Sequence, residues 1–291
     1  MITSHGMRKD NPVIRVNEHQ DFKTYVVFLV LLICFFLQAS SRSAVADAPN
    51  LLSVHEAATM KTNDPRTIFV DVRSEQQFEI IRIPASINIP AHFLRTKKYL
   101  QAMNVILVDE GYDPGALIQV GEKLNEQGFH ISILAGGIAA WQQQKKELMG
   151  EEFAGRVLHF MPASAFKKTI EGSFVKALIN VSETALDTPF PDTKHLPITK
   201  PQDTQKAMQF ITDLQLDEKS GVLLFTQQGD YGLFSTLPES ANFPTIFFLT
   251  GGFAAYSEFA KQHQAMLQPR ESRLKTIGGC ETCPAADGKE D

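Results

Sequence analysis

Residues Asn104–Trp141 read NVILVDEGYDPGALIQVGEKLNEQGFHISILAGGIAAW, and this stretch decides the fold of the chain. It predicts a short apolar strand over Val105–Val108, a polar loop over Asp109–Asp113, and a helix that begins at Pro114. A second strand over Ile131–Leu134 leads through two glycines into another helix. This order indicates an α/β fold with a parallel sheet, in which ligands bind at the carboxyl ends of the strands. Any chemistry of the chain is therefore expected in the loop over Asp109–Asp113.

The same pattern occurs again about 115 residues further along the chain. An apolar strand is predicted over Val222–Phe225, a polar loop over Thr226–Tyr231, and a second strand over Thr245–Leu249. LTGGFAAY (Leu249–Tyr256) corresponds to LAGGIAAW (Leu134–Trp141). A repeat of this length indicates two copies of one domain rather than a solenoid.

Three motifs in the first copy carry a family resemblance. They are DVRSEQQFEIIRIPASINIP (Asp71–Pro90), the strand and loop VILVD, and GGIAAW. In this order they resemble the rhodanese (thiosulfate:cyanide sulfurtransferase-like) family. The resemblance covers roughly residues 51–144 and, less closely, 158–264. It implies two rhodanese-like domains, over 51–145 and 156–266, each a parallel β-sheet flanked by helices on both faces. The segment Gln142–Gly155 is interpreted as the linker between them.

Charge and composition exclude several classes of function. The formal net charge is −5 and the chain has no basic stripe, so nucleic acid is not expected as a partner. The eight histidines have no metal-ligand spacing, and the paired glycines lack the spacing of a nucleotide fingerprint. We therefore expect no metal and no cofactor.

The N-terminal residues 1–46 are expected to direct export. Tyr25–Leu37 is uncharged and mostly apolar, it follows several basic residues, and Ala44-Val45-Ala46 suits a signal-peptide cleavage site. The alternative is a transmembrane anchor over Thr24–Ser41, although 13 apolar residues are short of the ~20 that a span needs. In both cases the segment engages the membrane, at least during export. We expect the protein to be periplasmic or otherwise extracytoplasmic.

The catalytic cysteine that the resemblance implies is absent from both copies. In the family this cysteine follows the central strand, and the matching positions here hold Asp109 and Thr226. In tandem members of the family the non-catalytic copy often has Asp at this position. A carboxylate is a poor nucleophile toward sulfane sulfur, and Glu110 and Asp113 add negative charges that repel thiosulfate. The chain is therefore not expected to be an active thiosulfate sulfurtransferase.

The two degenerate loops and one upstream pair remain the candidate binding residues. These are Asp71, Arg73, Asp109, Glu110, Gly111, Tyr112, Asp113, Thr226, Gln227, Gln228, Gly229 and Asp230. For Asp109 the alternatives are a carboxylate that caps the loop amides and a group that binds a partner or a cation. For Asp71 and Arg73 they are a structural ion pair and an active-site pair. Trp141 and Tyr256 are expected in the core.

The tail over 267–291 is polar and is expected to be flexible. It holds Cys280 and Cys283, the only cysteines after Cys34. This C-x-x-C pair is an inert disulfide, a redox or sulfur-handling dithiol, or half of a metal site.

Two functional hypotheses follow. The first is an exported, non-catalytic tandem rhodanese-like protein, a partner- or anion-binding module that presents the tail cysteines. The second is a sulfurtransferase or thiol oxidoreductase in which Cys280 or Cys283 carries sulfur or electrons. The partner is then an unknown protein or a small sulfur compound.

Overall fold

The computed structural model describes residues 48–234 and 242–267. The strands within these ranges are β1 (Asn50–Leu52), β2 (Thr67–Asp71), β3 (Ile81–Arg82), β4 (Ile87–Asn88), β5 (Asn104–Val108), β6 (His130–Leu134), β7 (Met149–Gly150), β8 (Phe160–Met161), β9 (Val175–Asn180), β10 (Lys194–His195), β11 (Gly221–Phe225) and β12 (Thr245–Leu249). The helices are α1 (Val54–Asn63), α2 (Glu75–Ile80), α3 (Gly115–Asn125), α4 (Gly137–Gln143), α5 (Ala163–Glu171), α6 (Pro201–Asp213) and α7 (Gly252–Leu267). Short 3₁₀ helices cover Ala91–Thr96, Lys98–Ala102 and Glu152–Val157.

Two five-stranded sheets form the framework, and their strands follow the same path. The first sheet has the order β1-β6-β5-β2-β4, and the second has the order β8-β12-β11-β9-β10. Every pairing within both sheets is parallel. Each strand of the first sheet thus has a counterpart at the same place in the second. The α/β class with parallel sheets, predicted from the sequence, is confirmed.

Both faces of each sheet are covered. In β5, Ile106 and Val108 pack into a core with α1 and α4, whereas Val105 and Leu107 pack into a core with α3 on the other face. In β11 the residues likewise alternate between two cores. This explains why the central strands are apolar without interruption, because a strand buried on both faces has no side that tolerates polar residues.

The segment Gln142–Gly155, predicted as a linker, is structured. It holds the end of α4, the strand β7, which pairs antiparallel with β3, and the beginning of a 3₁₀ helix. Gln143 is buried against the second sheet, where its Nε2 donates to Pro244 O (3.0 Å) and its Oε1 accepts from Ile246 N (2.9 Å). The side-chain amide of Gln143 therefore forms two hydrogen bonds with the backbone at the start of β12, as a neighbouring strand would.

We call the part of the chain up to residue 145 the first half and the part from residue 156 the second half. A comparable contact in the first sheet comes from within the first half. Asn125, the last residue of α3, accepts a hydrogen bond from Ile131 N in β6 through its Oδ1 (2.8 Å). Ile131 and Ile246 hold corresponding positions, three residues before the matching Leu134 and Leu249. The two sheets thus receive the same edge contact from different parts of the chain.

Several sequence predictions lie outside the described residues. They are the signal peptide or anchor within residues 1–46, including Thr24–Ser41, and the tail pair Cys280 and Cys283. Among the helices of residues 48–234 and 242–267, none combines the length and apolar character needed to cross a membrane.

Candidate functional site

The loop after β5 is held against the glycines that open α4. Ile138 N donates to Asp109 O (2.9 Å), which fixes the first residue of the loop. Gly111 has a φ of +102°, and a side chain there would collide with the carbonyl group of Gly136. Only glycine permits both this backbone conformation and this close approach. Asp109–Asp113 is therefore a tightly packed turn at the carboxyl end of the first sheet.

The carboxyl group of Asp109 points into this turn. Its Oδ1 is buried and receives no hydrogen bond from any residue that the structure describes, although Asp109 as a whole is partly exposed. Burial raises the pKa of Asp109 to about 8, and the charges of Glu110 and Asp113 act in the same direction. A group with this pKa is largely protonated at neutral pH. The raised pKa thus favours the protonated form of the Asp109 side chain, and both alternatives for this residue, capping of the loop amides and binding of a partner or cation, stay predictions.

Asp71 and Arg73 form a buried ion pair beside the loop. Arg73 Nη2 lies 2.7 Å from Asp71 Oδ2, Arg73 Nε donates to Asp71 Oδ1 (3.0 Å), and the side chains are 2% and 1% exposed. Arg73 Nη2 also donates to Ile81 O (2.7 Å), and Asn88 Nδ2 donates to the carbonyl groups of both Asp71 and Arg73. This network fixes the ends of β2 and β4. Its geometry corresponds to the structural ion pair, one of the two alternatives for Asp71 and Arg73.

A cleft of about 270 Å³ opens next to the loop. Its polar lining comes from the first half, through Arg73, Gln77, Glu110 and Tyr112. Its apolar lining is Ile80, Ile81, Ala154, Val157, Leu158, Phe160 and Pro162. Gln77 Nε2 donates to Glu110 Oε1 (2.9 Å) across the mouth. The cleft thus combines a largely apolar wall with a few polar groups, which is the usual composition of a ligand site.

The remaining loop residues contact the second half of the chain. The ring of Tyr112 meets that of Phe247 edge to face, with centroids 6.1 Å apart. Asp113 Oδ2 pairs with Lys168 Nζ at 2.6 Å. Burial raises the pKa of Tyr112, and the neighbouring charge of Glu110 adds to this effect. These contacts tie the shape of the loop to the second half.

The loop after β11 has the same framework and different chemistry. Phe253 N donates to Thr226 O (2.8 Å). Gly229 has a positive φ of +79° and packs against Gly251. Thr226 Oγ1 accepts from Gly229 N (2.7 Å), so its hydroxyl group caps the turn. Thr226 therefore occupies the position that corresponds to Asp109, and its hydroxyl group stabilises the turn.

The buried ion pair of the first half has a neutral counterpart in the second. Asn180 Oδ1 accepts from Ser182 N (2.9 Å), as Asp71 Oδ1 accepts from Arg73 N (3.0 Å). His195 Nε2 lies 3.0 Å from Ser182 O, where Asn88 stands in the first half. Within residues 48–234 and 242–267, no ion pair joins Asn180, Ser182 or His195 at this corner of the second sheet.

The structure thus separates the predicted site residues into two groups. Asp71, Arg73 and the loop over Asp109–Asp113 meet at the end of the first sheet, whereas Thr226–Asp230 lies at the end of the second. Gln227, Gln228 and Asp230 are exposed. Sequence reasoning missed Gln77 and Phe160 as cleft residues, because nothing in their local pattern distinguishes them from ordinary surface and strand residues. Trp141 and Tyr256 are buried, as predicted.

Metal ligands and thiols were both considered in the sequence interpretation of the loops. No group of three or more His, Cys, Asp or Glu residues suited to a metal ion occurs in the described ranges 48–234 and 242–267. The sequence places no cysteine between Cys34 and Cys280, so neither loop has a thiol nearby in the chain.

Comparison with known proteins identifies the first half. Residues 53–144 match the rhodanese-like domain family, which confirms the resemblance for that part of the chain. No match is found among curated proteins.

Solved structures give matches at low identity. A rhodanese-related protein from Thermoplasma volcanium is 24% identical over 35% of this chain and 99% of its own, with a TM-score of 0.30. The BH2092 protein from Bacillus halodurans is 22% identical over 46% of this chain and 87% of its own, with a TM-score of 0.31. A thiosulfate sulfurtransferase from Pseudomonas aeruginosa is 16% identical over 72% of this chain but only 42% of its own, with a TM-score of 0.30.

Proposed function

We propose that this chain is an exported tandem rhodanese-like protein that binds a ligand or partner beside the Asp109 loop and does not transfer sulfur from thiosulfate. One observation carries the proposal. The side chain at the end of the central strand, where the family has its cysteine, is a buried carboxyl group whose pKa is raised to about 8.

The chemistry of sulfur transfer explains why this substitution matters. A persulfide carrier needs a thiolate, which is the nucleophilic form of a cysteine. A protonated carboxyl group has neither the nucleophilicity nor the ability to hold sulfane sulfur. The charge of Glu110, which has no cationic partner among the described residues, also disfavours an anion, so the anionic ligand that the sequence left open fits this loop poorly.

The second half supports the tandem interpretation. Its sheet has the strand order of the first, and its loop glycine packs against the glycine pair of α7 in the same way. Thr226 Oγ1 is already bonded to Gly229 N, so the hydroxyl group has a structural use. We propose that neither loop is a sulfur carrier.

A sulfurtransferase assay tests the proposal. Thiosulfate and cyanide are supplied to the purified protein and to the variant with Cys280→Ser and Cys283→Ser, with an active thiosulfate sulfurtransferase as the positive control. We expect no thiocyanate above background from either form. Turnover that persists in the double variant would overturn the proposal. Turnover that disappears in the double variant would instead favour a tail thiol as the carrier.

Export of the protein and oxidation of the tail cysteines are part of the proposed function, and mass spectrometry tests both. Mass spectrometry of the protein from the producing cell should show an N-terminus near Asp47 and a mass two hydrogens lower than the dithiol form, because an exported C-x-x-C pair is expected to be oxidised. An N-terminus at Met1 on membrane-extracted protein would favour the anchor. A persulfide mass on Cys280 or Cys283 would favour the sulfur-handling alternative.

A further inference from the structure

The charged groups of the cleft beside the Asp109 loop are few. Three ionisable side chains line it: Arg73, Glu110 and Tyr112. The guanidinium group of Arg73 is 2% exposed and is engaged with Asp71 and with Ile81 O. Its positive charge is therefore neutralised within the protein and is not offered to a ligand.

Glu110 is the lining group whose charge remains uncompensated. Its Oε1 accepts a hydrogen bond from the neutral amide of Gln77, and no ion pair to Glu110 occurs in the described part of the chain. The raised pKa of Tyr112 has burial as its main cause and the charge of Glu110 as its second, so the negative field reaches that ring. The cleft therefore has a single negative charge at a mainly apolar wall.

Part of the apolar wall is open to solvent. Val157 is 63% exposed, Ile80 37% and Phe160 36%, and all three line the cleft. Phe160 also packs on Tyr231, with centroids 5.8 Å apart, so this ring is fixed in position. Apolar side chains that lie together in a cleft beside a polar group have the composition of a ligand site.

We propose that this cleft binds a small organic monocation, an ammonium or guanidinium group attached to a compact apolar body. The cationic group pairs with Glu110, and the apolar body lies against Val157, Ile80 and Phe160. The volume of about 270 Å³ limits the body to roughly the size of one aromatic ring with a short chain. The proposal rests on the proposed function and gives the ligand class of that same site, opposite in charge to thiosulfate.

The test is titration calorimetry with phenethylammonium as the probe. The neutral 2-phenylethanol and the anionic 3-phenylpropionate have the same ring and serve as matched ligands. We expect the cation to bind about threefold to fivefold more tightly than the neutral analogue, because a partly exposed ion pair contributes about that factor. The anion should show no binding. Raising the salt concentration should weaken only the binding of the cation.

Variants locate the site. Glu110→Gln should bring the affinity for the cation down to that of the neutral analogue, whereas the exposed Glu126→Gln should leave it unchanged. Val157→Lys, at a solvent-exposed position that tolerates a long side chain, should abolish binding of the cation by repulsion. Equal affinity for all three ligands, or cation binding that Glu110→Gln does not alter, would overturn the proposal.

The outcomes also separate this inference from the function on which it rests. Absence of both thiocyanate formation and cation binding would overturn the ligand class and leave the non-catalytic function standing. Thiocyanate formation that survives loss of both tail cysteines would overturn the function, whatever the cation does.

Discussion

The buried carboxyl group of Asp109 predicts a specific dependence of stability on pH. In the folded protein its pKa is raised to about 8, whereas an unfolded aspartate titrates near pH 3.9. Between these values the folded chain binds a proton that the unfolded chain does not. The stability that this proton provides is complete below about pH 4 and is lost as the pH rises toward about 8.

The size of the effect follows from the span of pH. Each pH unit within the window changes the free energy of unfolding by at most about 1.4 kcal/mol, so the range from pH 5 to pH 8 has a ceiling of about 4 kcal/mol. Asp109 is partly exposed and its loop can relax, which reduces the effect. We expect a loss of about 2 to 4 kcal/mol across that range from this group.

Urea unfolding of the protein and of Asp109→Asn at several pH values measures this loss. The asparagine is close in shape and cannot ionise, so subtracting its curve removes the contributions of all other groups. We expect the variant to gain stability relative to the parent as the pH rises, by about 2 to 4 kcal/mol between pH 5 and pH 8. The exposed Asp192→Asn should show no such trend. A constant difference, or one of the opposite sign, would refute a protonated Asp109.

Three further predictions concern stability. Gly111→Ala should destabilise the fold by about 2 to 4 kcal/mol in urea unfolding, because the methyl group meets the Gly136 carbonyl and φ is positive; a change below 1 kcal/mol would contradict the packing of the loop. Arg73→Ala should cost about 3 to 5 kcal/mol by the same measurement, since it leaves the Asp71 carboxylate buried and alone; recovery of the loss on adding Asp71→Ala is the check, and additive losses would argue against a coupled pair. Gln143→Ala should cost about 2 kcal/mol and raise amide hydrogen exchange in β12, because two buried hydrogen bonds are lost; unchanged exchange there would contradict the assignment.

The sequence was sufficient for the framework of the fold. Uninterrupted apolar runs such as Val222–Phe225 have few alternatives to a buried parallel strand, and the glycine pairs mark the entry to the following helices. The boundaries shifted by a residue: α3 begins at Gly115, with Pro114 as its N-cap, and β11 begins at Gly221. Such shifts depend on hydrogen bonds at the ends of elements, which local pattern does not determine.

The site was predictable only in part. The loop over Asp109–Asp113 follows directly from its place after a central strand, and the Asp71–Arg73 pair follows from its spacing. The protonation of Asp109 depends on burial and on two neighbouring charges, which requires coordinates. The cleft brings Gln77 together with Phe160, about 80 residues apart in the chain, and a single sequence has no signal for such a contact.

Gln143 has a consequence for any attempt to separate the two halves. Exposed strand edges offer free peptide groups and promote aggregation by pairing with other chains. The first half protects Ile131 with its own Asn125, but the second half depends on Gln143 of the first half to protect Pro244 and Ile246. A fragment that starts after the first domain would leave Pro244 O and Ile246 N without these partners, and we expect it to self-associate, whereas the first half alone keeps its contact. During synthesis, the segment that protects the second sheet has already left the ribosome before β12 is made.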